Sequence, residues 1–103
     1  MPETPAYVPF SQITVDNVLG YMRVTETTED DKSQLSTMLE AAKSFVLSQT
    51  GRTEAQADTF PELTIAVYAI SSDMYDKRAF NVDEKNANKI VESILGARNI
   101  NLL

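Results

Sequence analysis

The strongest constraint on this chain is one apolar stripe in its middle. Leu35, Met38, Leu39, Ala42, Phe45, Val46 and Gln49 recur at three- and four-residue steps, which places their side chains along one face of about four helical turns. A helix of that kind must bury its stripe against other elements, because helical stability in water comes mostly from tertiary packing. No stretch of the chain alternates apolar and polar residues, so the elements that cover the stripe are expected to be helices too.

Start and stop signals bound this helix. Thr27 or Thr28 can cap its N-terminus, and Glu29, Asp30 and Asp31 fall in its first turn, where free backbone N–H groups and the macrodipole favour negative charge. Gly51 supplies a left-handed stop. Three further helices are predicted around it. The first starts at Thr14 as N-cap, carries Val15, Val18, Leu19 and Met22 on one face, contains Gly20, and ends near Val24. A polar loop over 52–59 leads to Phe60-Pro61, with Pro61 suited to the first helical position. From there Leu63, Ala66, Val67, Ile70 and Met74 form a stripe that Ile65, Ala69 and Tyr75 widen, the mark of a central helix with neighbours on more than one side. Lys77 and Arg78 are placed in its last turn, where cations are favoured. The last helix starts at Asp83 as N-cap, presents Ile90, Val91, Ile94 and Leu95, and ends near Gly96 or shortly after.

The two ends of the chain read differently. Pro2, Pro5 and Pro9 with Tyr7, Val8 and Phe10 between them favour extended geometry over helix, so residues 1–12 are expected to form an arm that folds back on the domain or docks on a neighbour. Residues 99–103 form a tail with Ile100, Leu102 and Leu103. A chain of 103 residues holds one modest core. The expected fold is therefore all-α: a small four-helix bundle over 13–98 with extended N- and C-terminal arms.

Composition narrows function mainly by exclusion. Cysteine and histidine are both absent, which removes disulfides, thiolate chemistry, imidazole base catalysis and the common zinc sites. Glu29, Asp30 and Asp31 lack the alternating spacing and the glycine of a calcium loop, and adjacent helical carboxylates point apart, so neither a metal nor acid/base work is expected there. Ser71 and Ser72 have no histidine to activate them and no Gly-x-Ser-x-Gly elbow around them; they read as helix-surface residues. Gly20, Gly51 and Gly96 are too scattered for a phosphate loop. The chain is expected to be no enzyme and to need no cofactor. With 15 acidic against nine basic residues and a net charge of −6, a surface that grips nucleic acid through its phosphates is disfavoured. No apolar run approaches the roughly 20 residues of a membrane span, and the first residues show no secretory signal, so synthesis and residence inside a cell are expected. Tyr75 and Arg78 stand three residues apart, a spacing that lets an aromatic ring meet a guanidinium. Core anchoring and a contact between subunits are both open for this pair.

The ordered set of short motifs resembles one known family. Ile13-Thr14 opens the first helix and Tyr21-Met22-Arg23-Val24 closes it; Glu29-Asp30-Asp31 opens the second, which holds Ala41-Ala42 and ends at Thr50-Gly51. Phe60-Pro61-Glu62-Leu63 with Ala66, Met74-Tyr75-Asp76-Lys77-Arg78, and Ser93-Ile94-Leu95-Gly96-Ala97-Arg98 follow in order. Over Ile13 to Arg98 this pattern is similar to the head-tail connector family of long-tailed phages and prophages, with Ala97 where that family usually has an aromatic. The resemblance implies a structural adaptor of the virion's head–tail interface, assembled in the host cytoplasm. It implies a homo-oligomeric ring, typically a dodecamer, below the portal protein, docking a stopper or tail-completion protein, with DNA passing through the lumen without sequence-specific binding. Ile100, Leu102 and Leu103 are then expected to contact the portal. The competing reading is a monomeric acidic helical binding module or regulator. A carrier domain of that class needs an attachment serine at a helix start, whereas Ser72-Asp73 lies mid-helix; a DNA-binding regulator needs a basic recognition helix, whereas Lys85 and Lys89 share theirs with Glu84 and Glu92.

Overall fold

The computed structural model describes residues 7–99, with side chains through Gly96. The described residues hold no strand. A 3₁₀ turn at Phe10–Gln12 is followed by α1 (Val15–Met22), α2 (Glu29–Thr50), α3 (Glu54–Ala57), α4 (Pro61–Lys77) and α5 (Glu84–Asn99). The long helices α1, α2, α4 and α5 make an all-α bundle in which α4 is the hub: it packs against α1, α2, α5 and the 3₁₀ turn. The breadth of its apolar stripe has this cause, since one helix must offer a surface to each of those neighbours.

The caps follow the local chemistry of the sequence. Thr14 and Asn17 form a reciprocal capping box on α1, and the Thr28 hydroxyl accepts the Asp31 N–H at 3.1 Å to start α2. Gly51 ends α2 at φ 66°, a left-handed conformation that costs a residue without Cβ little. The Asp83 carboxylate accepts the Asn86 N–H at 3.2 Å and opens α5. The core is continuous: Val18 from α1, Leu35, Met38 and Val46 from α2, and Leu63 and Val67 from α4 are fully buried, joined by Ala87 and Val91 of α5.

The structure departs from the expectations in three places, at α3, Ser71 and Arg78. The segment 52–59 is not a plain loop but holds α3, started by a capping box in which Thr53 and Gln56 exchange hydrogen bonds and packed on the 3₁₀ turn with Ala57 buried. The helix α5 ends at Asn99, shortly after Gly96 as expected, because a glycine inside a helix costs only about 1 kcal/mol. Ser71 is no surface residue. It is fully buried because its hydroxyl donates back to the Val67 carbonyl at 2.7 Å, which removes the cost of burying it. Arg78 lies just beyond the last turn of α4, not in it, in a left-handed conformation at φ 53°.

The second half of the proline-rich segment is folded onto the bundle. Phe10 is fully buried, the Tyr7 hydroxyl donates to the Asp58 carbonyl at 2.7 Å, and the Thr64 hydroxyl donates to the Val8 carbonyl at 2.7 Å. Ser11 holds the Asp58 carboxylate through its backbone N–H at 2.7 Å and its hydroxyl at 2.9 Å. These bonds tie 7–12 to the turn that leads into α4.

Candidate functional site

The arrangement that brings sequence-predicted residues together is the corner where α4 ends. Tyr75 is buried and Arg78 exposed. The helix closes with paired backbone bonds, Arg78 N–H to Tyr75 O at 3.1 Å and Ala79 N–H to Met74 O at 2.9 Å, the two bonds of a Schellman end. The left-handed backbone at Arg78 turns its side chain back over the helix. Its guanidinium carbon lies 4.3 Å from the Tyr75 ring centroid, and Nη1 donates to the Asp31 carboxylate at 3.0 Å and to Gln34 Oε1 at 3.1 Å. One side chain thus ties the end of α4 to the start of α2. The hydrogen bond from Arg78 holds the Asp31 carboxyl below the usual carboxylate range, and the carboxylate raises the guanidinium's affinity for its proton in turn. Tyr75 and Arg78 thus meet within one copy, and Arg78 contacts α2 through Asp31 and Gln34.

Past Arg78 the corner is pinned again. Lys77 pairs with Asp73 at 3.1 Å and with Asp83 at 3.8 Å, and the Asn86 amide donates to Asp73 at 3.1 Å. Between these anchors the loop presents Phe80 with half of its surface, 50%, in solvent.

A second apolar surface lies where α1 meets α4. Tyr21 is 48% exposed and Ile65 49%, and the Tyr21 and Tyr68 rings stand 5.2 Å apart at a tilt of 35°. Ile65 precedes Tyr68 by three residues, so the two share one helix face. Burial raises the Tyr68 phenol's pKa. Beside this patch α1 ends at Arg23, in a left-handed conformation at φ 60°. At the far end of α2, Arg52 covers the Phe60 ring at 4.3 Å in an open groove shared with Thr50, Ala55, Gln56 and Thr59.

Among the described residues no group of three or more acidic side chains is placed to hold a metal ion, and no helix is long and apolar enough to cross a membrane. Glu29 and Asp30 are exposed at the start of α2, and the third acid of that run, Asp31, is taken by Arg78. Ile100, Leu102 and Leu103 lie outside the described residues. The patch of Tyr21, Ile65 and Tyr68 and the Phe80 loop were not singled out in the sequence. The available signal was Ile65 and Tyr68 on the outer edge of a stripe already wide enough for a core helix, and Phe80 as an aromatic between the end of one helical pattern and the start of the next.

Comparison with curated proteins and with solved structures returns no match. The family model of the phage gp6-like head-tail connector proteins matches residues 12–99, and the chain belongs to that family of structural virion proteins.

Proposed function

We propose that this chain is the subunit of a connector ring, a dodecamer seated below the portal protein, which surrounds the DNA exit channel and docks a stopper or tail-completion protein on its other side. Membership of the connector family over residues 12–99 is the observation that carries this reading. The physical features agree with it. Tyr21, Ile65 and Phe80 remain about half exposed, more large apolar surface than a lone small domain needs. A net charge of −6 suits a wall that DNA slides past, since like charge prevents adhesion. In this reading residues 1–12 form the N-terminal arm and residues 99–103 the portal-binding tail, with Ile100, Leu102 and Leu103 as the contact side chains. Three aliphatic side chains contribute roughly 1.5–3 kcal/mol each when fully buried; that is weak for one subunit, but a ring presents many tails to one partner and avidity multiplies the effect. The subunit assembles onto heads in the host cytoplasm.

Electron microscopy of the chain bound to its portal tests the ring directly: a closed ring coaxial with the portal is expected. A chain that stays monomeric beside the portal returns the acidic binding module. Deleting residues 99–103 separates docking from folding. Attachment to the portal should be lost with the melting temperature nearly unchanged; a truncated chain that melts many degrees lower yet still joins the portal would place the tail in the subunit's own core.

A further inference from the structure

Two exposed features of the subunit complement each other, and geometry keeps them apart within one copy. The first is the α1–α4 patch of Tyr21, Ile65 and Tyr68, bordered by Arg23. The second is the Phe80 loop, with Asp76 before it and Glu84 after it, both exposed. Tyr21, Ile65 and Phe80 are the large hydrophobic side chains that the described residues leave exposed. From Ile65 to the end of α4 at Lys77 the helix rises about 18 Å, and Phe80 lies beyond that end, so a chain cannot lay its own Phe80 on its own patch. Contact between copies can.

Arg23 supplies an independent argument. A left-handed backbone disfavours every residue but glycine, and Arg23 adopts it at φ 60°. Arg78 does the same and is held by Tyr75, Asp31 and Gln34. Arg23 forms no ion pair with any carboxylate among the described residues, although Asp16 of its own helix pairs with Lys32. Its charge therefore stands ready beside an apolar patch, in a chain whose copies otherwise repel through a net charge of −6. Asp76 and Glu84 likewise take part in no ion pair among the described residues, while Asp73 and Asp83 are occupied by Lys77. Lys43, Arg52, Lys85 and Lys89 are also in no ion pair among the described residues, but Arg23 is the cation that follows Tyr21 of the apolar face, and Asp76 and Glu84 are the unpaired acids on either side of the Phe80 loop. Tyrosine and arginine around an apolar centre are also the side chains enriched at protein interfaces.

We propose that the Phe80 loop of one copy seats on the Tyr21–Ile65–Tyr68 face of the next, with Arg23 of the receiving copy meeting Asp76 and Glu84 of the donor. The contact is head to tail: each copy gives a loop and receives one, the geometry that closes a ring when the rotation permits. The proposal rests on the ring reading above and names the surface that joins its subunits. The pinned corner around Asp73, Lys77 and Asn86 holds the loop in place, so little ordering is needed when it docks.

The test uses two complementary full-length variants. Phe80→Ala removes the donor and leaves the face; Ile65→Glu spoils the face and leaves the donor. Both sites are exposed, so each variant is expected to keep the wild-type melting temperature and helical circular dichroism. Assembly is followed by native mass spectrometry and by electron microscopy on portal-bearing heads. Each variant alone should associate at least tenfold more weakly than wild type, and an equimolar mixture should form one-to-one heterodimers and nothing larger, because one intact contact remains per pair. Arg23→Glu, which keeps the non-glycine backbone, should weaken assembly, and adding Asp76→Lys with Glu84→Lys should restore it. Variants that form rings as wild type does, on a wild-type background that does form them, overturn the contact and leave the ring standing. A mixture that gives no heterodimer also overturns it. A wild-type chain that neither self-associates nor builds a ring on the portal overturns both readings together.

Discussion

The ends of α1 and α4 are built by the same backbone device and supported in opposite ways. Each closes with a Schellman pair, Val24 N–H to Leu19 O at 3.0 Å with Arg23 N–H to Gly20 O at 3.1 Å in α1, and the matching bonds at Met74 and Tyr75 in α4. Each places an arginine in the left-handed region, where glycine is the usual occupant. At the end of α4 that choice has a local return, because the guanidinium lands on Tyr75 and reaches Asp31 and Gln34 of α2. At the end of α1, Arg23 makes no such contact among the described residues. The difference begins in spacing. Tyr75 precedes Arg78 by three residues and shares its side of the helix, whereas Tyr21 precedes Arg23 by two, a spacing that does not stack the ring under the guanidinium, and lies against Tyr68 instead. A strained residue that the subunit itself supports is structural; one that the subunit leaves unsupported points outward.

The largest expected effect separates the two tyrosines. Tyr75→Ala removes a buried ring and the platform for Arg78, and should lower unfolding stability by about 3 kcal/mol. Tyr21→Ala removes a half-exposed ring whose partner is Tyr68 and should cost about 1 kcal/mol or less. Chemical denaturation measures both, and equal losses would erase the distinction between the two ends.

Glycine substitution sharpens the comparison at the backbone. Arg23→Gly relieves the left-handed strain and, after the extra freedom glycine has in the unfolded chain, should stabilise the subunit by about 0.5–1 kcal/mol. Arg78→Gly gains the same relief but gives up the contacts to Tyr75, Asp31 and Gln34, and should not stabilise. Thermal melts in which the two substitutions raise the melting temperature alike would show that the Arg78 contacts contribute nothing. If Arg23 meets a second copy, Arg23→Gly should also weaken assembly while strengthening the fold, a combination that a purely structural residue does not produce.

The smallest effect is read by pH. Asp31 has a folded pKa below its ordinary value of 3.8, chiefly through the hydrogen bond from Arg78. A carboxylate shifted down stabilises the fold fully above its unfolded pKa, and the contribution fades as pH falls through the folded one. Wild type should therefore lose stability below about pH 4 more steeply than Asp31→Asn, and replacing Arg23 should leave the slope unchanged. Identical slopes for wild type and Asp31→Asn in acid denaturation would show that the pair is open in solution.

Much of the fold is legible in the chain because it is decided locally. The Thr14, Thr28 and Asp83 caps, the Gly51 stop and the Pro61 start all operate within one turn of the residue concerned, and the apolar periods of α1, α2, α4 and α5 need only helical geometry to be read. The miss at α3 was local as well. Thr53 and Gln56 stand at the spacing of a capping box, but a helix of a single turn has no stripe to announce it. The Tyr75–Arg78 contact followed from a three-residue spacing, and the resemblance to connector proteins from motifs whose order survives in a linear string.

What the sequence determined by itself is the set of helices, their caps and the family, since each depends on residues close together in the chain or on their order along it. What only the tertiary structure decided is which side chains meet across the bundle. Asp31 and Arg78 are 47 residues apart, and no periodicity pairs them. Ser71 could be buried because the helix supplied its acceptor, and Phe10 because α4 and the turn before it closed over it. Tyr21 and Ile65 became one surface only when α1 crossed α4, and that packing also left Arg23 outside every ion pair among the described residues. Burial and pairing are properties of a packed arrangement in three dimensions, and a chain read residue by residue carries the capacity for them without the choice among them.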